Sequence, residues 1–176
     1  MATEIDRQEA PGDDLWRFAL DLYAQPGVSD ACLLLQDRYG CDVPMLLFAA
    51  WAGAERGVAL GADDVVAARG AVTAWQAEVV KPLRGVRRRL KQGPPPAPDA
   101  RTGDLRARLQ AIEIDAERIE LETLAKCLPA TRGGAHGLGG RSVAVSVNLV
   151  GVAPGAENDP EAAAALRLLA EAALAT

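Results

Sequence analysis

Residues 33–51 read LLLQDRYGCDVPMLLFAAW, two apolar runs parted by a short polar stretch. Either the polar stretch is a site, with the Cys41 thiol between acidic neighbours, or it is the joint between two helices. Gly40 fits the left-handed position that ends a helix, where the missing Cβ removes the steric cost. Asp42 can accept backbone N–H groups at the start of the next helix, and Pro44 falls in its first turn, where a proline loses no intrahelical bond. From Met45 to Trp51 every residue is apolar, and a helix without a polar face is buried centrally. The stretch therefore reads as a joint that delivers a core helix. A nucleophilic Cys41 would need an activating base. The chain's one histidine, His136, lies in a glycine-rich stretch away from the expected core.

Outward from the joint the chain reads as helix after helix. Asp13 and Asp14 start a first helix whose Leu15, Trp16, Phe18, Ala19, Leu22 and Tyr23 fall at helical spacing, and Gln25-Pro26-Gly27 stops it. Ser29 is the expected cap of a second helix, with Val28, Cys32, Leu35 and Tyr39 on its inner stripe. Asp63 and Asp64 open a long amphipathic helix through Val65, Ala68, Val72, Trp75, Val79, Leu83, Val86 and Leu90. Pro82 removes the bond to Glu78, so a kink or break is expected near 78–82. Residues 92–103, QGPPPAPDARTG, read as a stiff connector. A second long helix follows over 104–128, its inner stripe passing through Leu105, Leu109, Ile112, Ala116 and Ile119. The expectation is an all-α bundle of about five helices over 13–128, with residues 1–12 disordered.

The remainder, 129–176, breaks the pattern. Residues 142–150 alternate Val143, Val145, Val147 and Leu149 with Ala144, Ser146 and Asn148, which is a strand period. Asn158-Asp159-Pro160-Glu161 then opens an alanine-rich helix over 160–175. This glycine-rich segment reads as a flexible tail that the bundle can lose.

Composition narrows the function. The 176 residues are 49% hydrophobic with a net charge of −5, which argues for a globular domain and against nucleic acid as a partner. No apolar run reaches the roughly 18–20 residues of a membrane span. The acidic start MATEIDRQEAPGDD does not resemble a secretory leader. Three cysteines, Cys32, Cys41 and Cys127, without a CxxC pair, suggest a reduced protein of the cytoplasm.

The series LWRFALDLYAQPGVSDACLLLQDRYGCDV, LLFAAWA and WQAEVVKPLRGVRRRLK resembles an uncharacterised proteobacterial family, domain of unknown function 2390. That resemblance implies a small helical cytosolic protein and supplies no catalytic or binding residues.

Specific chemistries fail on their residues. The register ending Gly140-Arg141-Ser142 begins with Ala135, where a phosphate loop needs glycine. No Glu-x-x-His pair suits a di-iron bundle. Asp63-Asp64 is followed by Val65, Val66 and Ala67, not a magnesium-binding acid repeat. A DNA reader would need polar residues where Met45–Ala52 is apolar. No cofactor or metal site is expected. What remains is the basic cluster Lys81, Arg84, Arg87, Arg88 and Lys91, at helical spacing on one face. It is either paired with Glu113, Asp115, Glu117, Glu120 and Glu122 of the next helix or offered to an acidic protein partner. The leading reading is a non-enzymatic interaction or regulatory module of the bacterial cytoplasm. The alternative is a small-molecule-binding or enzymatic bundle with a pocket among Trp16, Trp51 and Trp75. The sequence sets no oligomeric state.

Overall fold

Gly40 does end a helix. It sits at φ 63°, ψ 21° and donates its N–H to Gln36 O at 3.0 Å, the bond of the simple left-handed helix stop. The computed structural model describes residues 11–129 and 137–176. On either side of Gly40 lie α2 (Val28–Tyr39) and α3 (Val43–Ala54), preceded by α1 (Pro11–Tyr23). From Pro44 to Ala54 every residue of α3 is buried, as its unbroken apolar run requires. The start of α2 differs from expectation: Gly27 at φ 79° precedes it and Val28 is already helical, so Ser29 is not the cap. Likewise Pro11 and Gly12 belong to α1, and residues 1–10 lie outside the described ones.

The next helix, α4, runs through Ala62–Trp75, a π turn at Gln76–Val80, and Lys81–Arg89. The irregularity expected from Pro82 takes this form: the Lys81 N–H reaches five residues back to Gln76 O, a wider turn that accommodates the missing proline donor. The extra residue rotates the apolar stripe. Val65, Ala68 and Val72 are buried as expected, but past the turn Val80 rather than Val79 is fully buried, and Val86 is 52% exposed.

Helix α5 spans Ala100–Ala125 and starts earlier than expected, because Asp99 and Thr102 cap each other's backbone N–H groups at 2.7 and 2.8 Å. That reciprocal cap adds a turn to the helix. Its inward face also differs. Ile112 and Ile119 are about half exposed, while Glu113, Ala116, Glu120, Leu121 and Leu124 are buried. Two glutamates, Glu113 and Glu120, thus lie on the inner face.

The largest correction concerns the C-terminal segment. Residues 138–152 form a helix, α6 (Leu138–Val152), and α7 covers Pro160–Ala175. Among the described residues there is no strand, so an extended 142–150 would have had no partner for its backbone groups. In the helix, Ala144, Val145, Asn148, Leu149 and Val152 share the buried face. The segment is no flexible tail: α6 makes the most extensive contact with α3 of any helix, and α7 packs on α2, α6 and α3. The described chain thus holds seven helices around one core.

Gly53 lets α3 and α6 approach this closely. A Cβ there would stand 2.5 Å from Val145 N and 2.6 Å from its Cα, so any side chain would push two backbones apart. At the other edge, Asp159 caps α7 through the N–H groups of Glu161 and Ala162, and Tyr39 donates its hydroxyl to the same carboxylate at 2.9 Å. The end of α2 therefore holds the start of α7.

Candidate functional site: an arginine-rimmed groove

The charges at the end of α4 do meet those of α5. The two helices run as a hairpin about the 90–99 connector, which brings Arg84 and Arg87 to Glu113. Arg84 donates through Nε to Glu113 Oε1 at 2.9 Å, through Nη2 to Glu117 Oε1 at 2.5 Å and through Nη1 to Gln36 Oε1 at 2.5 Å. Arg87 grips both oxygens of Glu113. These two side chains are about one-fifth exposed. Lys81, Arg88, Arg89 and Lys91 are exposed and make no ion pair shown among the described residues. The single basic face of the sequence is thus two populations, one structural and one facing solvent.

Electrostatics follow the geometry. Burial alone would push Glu113 up, but the hydrogen bonds and charges of Arg87 and Arg84 outweigh it and hold its carboxyl below the usual range. For Glu117 burial dominates even against Arg84, and its pKa is raised. The Arg84 guanidinium loses hydration, yet Glu113 and Glu117 more than restore its preference for the charged form.

Beside this cluster opens a cavity of about 300 Å³. It is lined by Trp16, Leu20 and Tyr23 of α1, Leu33 of α2 and Ile114 of α5, together with the buried Leu47 and Leu121. Leu20, Tyr23, Leu33 and Ile114 are each 40–49% exposed, so the rim is apolar as well as the interior. Arg84, Arg87 and Arg88 close one end. An apolar concavity with a few convergent polar groups is the usual form of a recognition site.

Of the three tryptophans, Trp16 alone lines this groove, and the Arg118 guanidinium lies 5.6 Å over its ring. Trp51 is 1% exposed in the core, and Trp75 donates its indole N–H to Ala116 O at 3.0 Å. Of the expected tryptophan set, this groove thus takes Trp16 alone. Cys41 is buried, which raises its thiol pKa against the pull of Arg69; it is part of the joint. His136 falls outside the described residues. Among the described residues no group of three or more His, Cys, Asp or Glu is arranged to hold a metal.

Asp42 departs most from expectation. Its main chain starts α3, with Leu46 N–H bonded to its carbonyl at 3.1 Å, but its side chain makes no capping bond. The carboxyl instead faces Glu120 of α5. Asp42 Oδ2 and both Glu120 oxygens are buried without a hydrogen-bond partner. Sequence reasoning missed this pair, since nothing local links residues 42 and 120.

These features define a single-core helical bundle that presents an apolar groove with an arginine-lined end. The chain matches, over residues 14–124, the family described as Protein of unknown function (DUF2390), and it belongs to that family. No curated protein and no solved structure matches it. No helix among the described residues is long and apolar enough to cross a membrane.

The division of the basic face leads to a direct expectation. Arg84→Met strands Glu117 and half of the Glu113 pairing in a partly dry site, and should cost about 2 kcal/mol. Arg88→Glu and Lys91→Glu should each stay within about 0.5 kcal/mol of the parent, as exposed substitutions do. Urea unfolding midpoints check this, and equal losses in all three variants would place Arg88 and Lys91 in the structural network.

Proposed function

We propose that the protein is a non-enzymatic interaction module of the cytoplasm that takes an acidic protein segment into the arginine-rimmed groove. An apolar anchor side chain of that segment enters between Leu20, Leu33 and Ile114, while its acidic neighbours meet Arg88 and, further along the exposed face, Lys81 and Lys91. The observation that carries this reading is the apolar cavity opening beside Arg88, whose charge is not spent inside the fold. A volume of about 300 Å³ suits one or two side chains, and its exposed apolar rim is what a protein partner would cover. Free thiols at Cys32, Cys41 and Cys127 support a reducing compartment. Arg84 and Arg87, once part of the expected contact face, serve here to shape the groove rather than to bind.

Selection of a displayed random-peptide library on the purified protein tests the reading. Enriched sequences should pair Leu, Phe, Trp or Met with adjacent Asp or Glu and should shift the Trp16 emission. Leu33→Glu and Arg88→Glu should each weaken the selected peptide by about tenfold or more, with added salt acting in the same direction. A selection that enriches nothing, or binding indifferent to both variants, defeats the proposal. Trp16 responses confined to small organic anions would favour a small-molecule pocket, to which the polar groups Gln36 and Arg84 converging on the cavity also lend themselves.

A further inference from the structure

We propose that the buried Glu120 keeps a proton and donates it to the Asp42 carboxylate, and that loss of this proton reshapes the groove on which the proposed recognition rests. The geometry begins with Glu120, which has no exposed surface. If both carboxyls were ionised, three oxygens would be buried with no donor, an arrangement that costs several kcal/mol in a dry site. A proton on Glu120 joins one of its oxygens to Asp42 Oδ2, leaves the other as the carbonyl of a neutral acid, and removes the like-charge contact. It also accounts for the Asp42 side chain's departure from its capping position.

The pair sits directly behind the groove. Val43 and Pro44 follow Asp42 in the chain and line the cavity, while Glu117 and Leu121 flank Glu120 on α5 and line it too. The charged groups facing Glu120 are Asp42 from the joint, Glu117 from its own helix and Arg84 from α4. Arg84 is already held by Glu113, Glu117 and Gln36, so it does not neutralise a third carboxylate. Burial, then the Asp42 contact, pushes Glu120 up to about 9 against the lesser pull of Arg84.

The sign follows. A carboxyl whose folded pKa exceeds its unfolded value contributes stability that is complete below the ordinary 4.5 and is lost as pH rises through the folded value. Ionisation forces like charges apart, and the movable parts are the 40–43 joint and the adjoining turn of α5, both of which form groove wall.

Carboxyl-carbon and indole NMR on the full chain test this, in a His136→Gln background that removes the lone histidine titration. The parent should show a glutamate carboxyl with a midpoint far above 4.5, and the Trp16 indole resonance should move with the same midpoint. Its urea midpoint should fall across that window. Glu120→Gln, which keeps the shape and a donor of the protonated acid, should remove the step at the Glu120 midpoint from both the Trp16 resonance and the urea midpoint. Asp42→Asn should bring the Glu120 midpoint down towards the ordinary range by removing the like charge, and it serves as the second variant if Glu120→Gln fails to fold. Ordinary midpoints for every carboxyl, a pH-independent Trp16, or a Trp16 step at the parent's midpoint that persists in Glu120→Gln would each overturn the proposal. The readouts are independent of any partner, so failure of the peptide selection leaves this test intact.

Discussion

A chain ended after Leu128 should not fold cooperatively. The deletion removes Val145, Leu149, Val152, Leu166 and Leu169 from the core, each fully or nearly fully buried. At about 1.5–3 kcal/mol for each such side chain, the loss is roughly 8–15 kcal/mol, as large as the whole stability of an ordinary domain. The true deficit is greater, because α3 then presents the face that α6 covers, including Gly53, which has no side chain to offer solvent or core. The 1–128 fragment should therefore show a broad, shallow helix melt and bind a hydrophobic dye such as ANS. A sharp melt near that of the full chain would mean that α6 and α7 are not the partners of α3.

The second large effect is expected at Asn148. Its side chain is completely buried between α6, α3 and the loop that follows α3. Oδ1 accepts the Leu60 N–H at 2.7 Å, while Nδ2 donates to Val58 O at 2.8 Å and to Ala49 O at 3.1 Å. One amide thereby satisfies a loop that has no regular secondary structure to do so. Asn148→Leu keeps the volume but strands the Leu60 N–H and the Val58 carbonyl, at about 1–3 kcal/mol for each group. A loss of about 3–5 kcal/mol in urea unfolding is expected. Val147→Thr, one residue away on the exposed face, should stay within about 0.5 kcal/mol. Comparable effects at the two positions would contradict the buried placement of Asn148.

Asn148 also shows why the C-terminal segment misled. Read as an extended run, Asn148 falls on a polar face with Ser146 and Ala144, opposite four apolar residues. The same segment, carried on to Val152, contains a helical stripe, Ala144-Val145-Asn148-Leu149-Val152, whose only polar member satisfies a loop more than eighty residues earlier in the chain. Periodicity does not separate the two, because valine-rich segments have strand preferences that tertiary packing overrides.

What the sequence determined by itself was local. Gly40 and Pro44 sit where backbone conformation and a missing donor admit few alternatives, so the α2–α3 joint and the burial of α3 followed from their own letters. The irregularity before Pro82 followed in the same way, whereas the pairing of Arg84 and Arg87 with the acids of α5 was only one of two readings that the sequence left open. The tertiary structure alone decided which side of α5 turns inward, since Ile112 and Glu113 are equally helical and the arginines of another helix select the glutamate. It decided that Asp42 faces Glu120 instead of capping its own helix, because a carboxyl from 78 residues away competes with a local N–H. It also made 138–152 a helix: the partner that fixes its state is α3, and contact between segments so distant in the chain arises from packing, which no local pattern encodes.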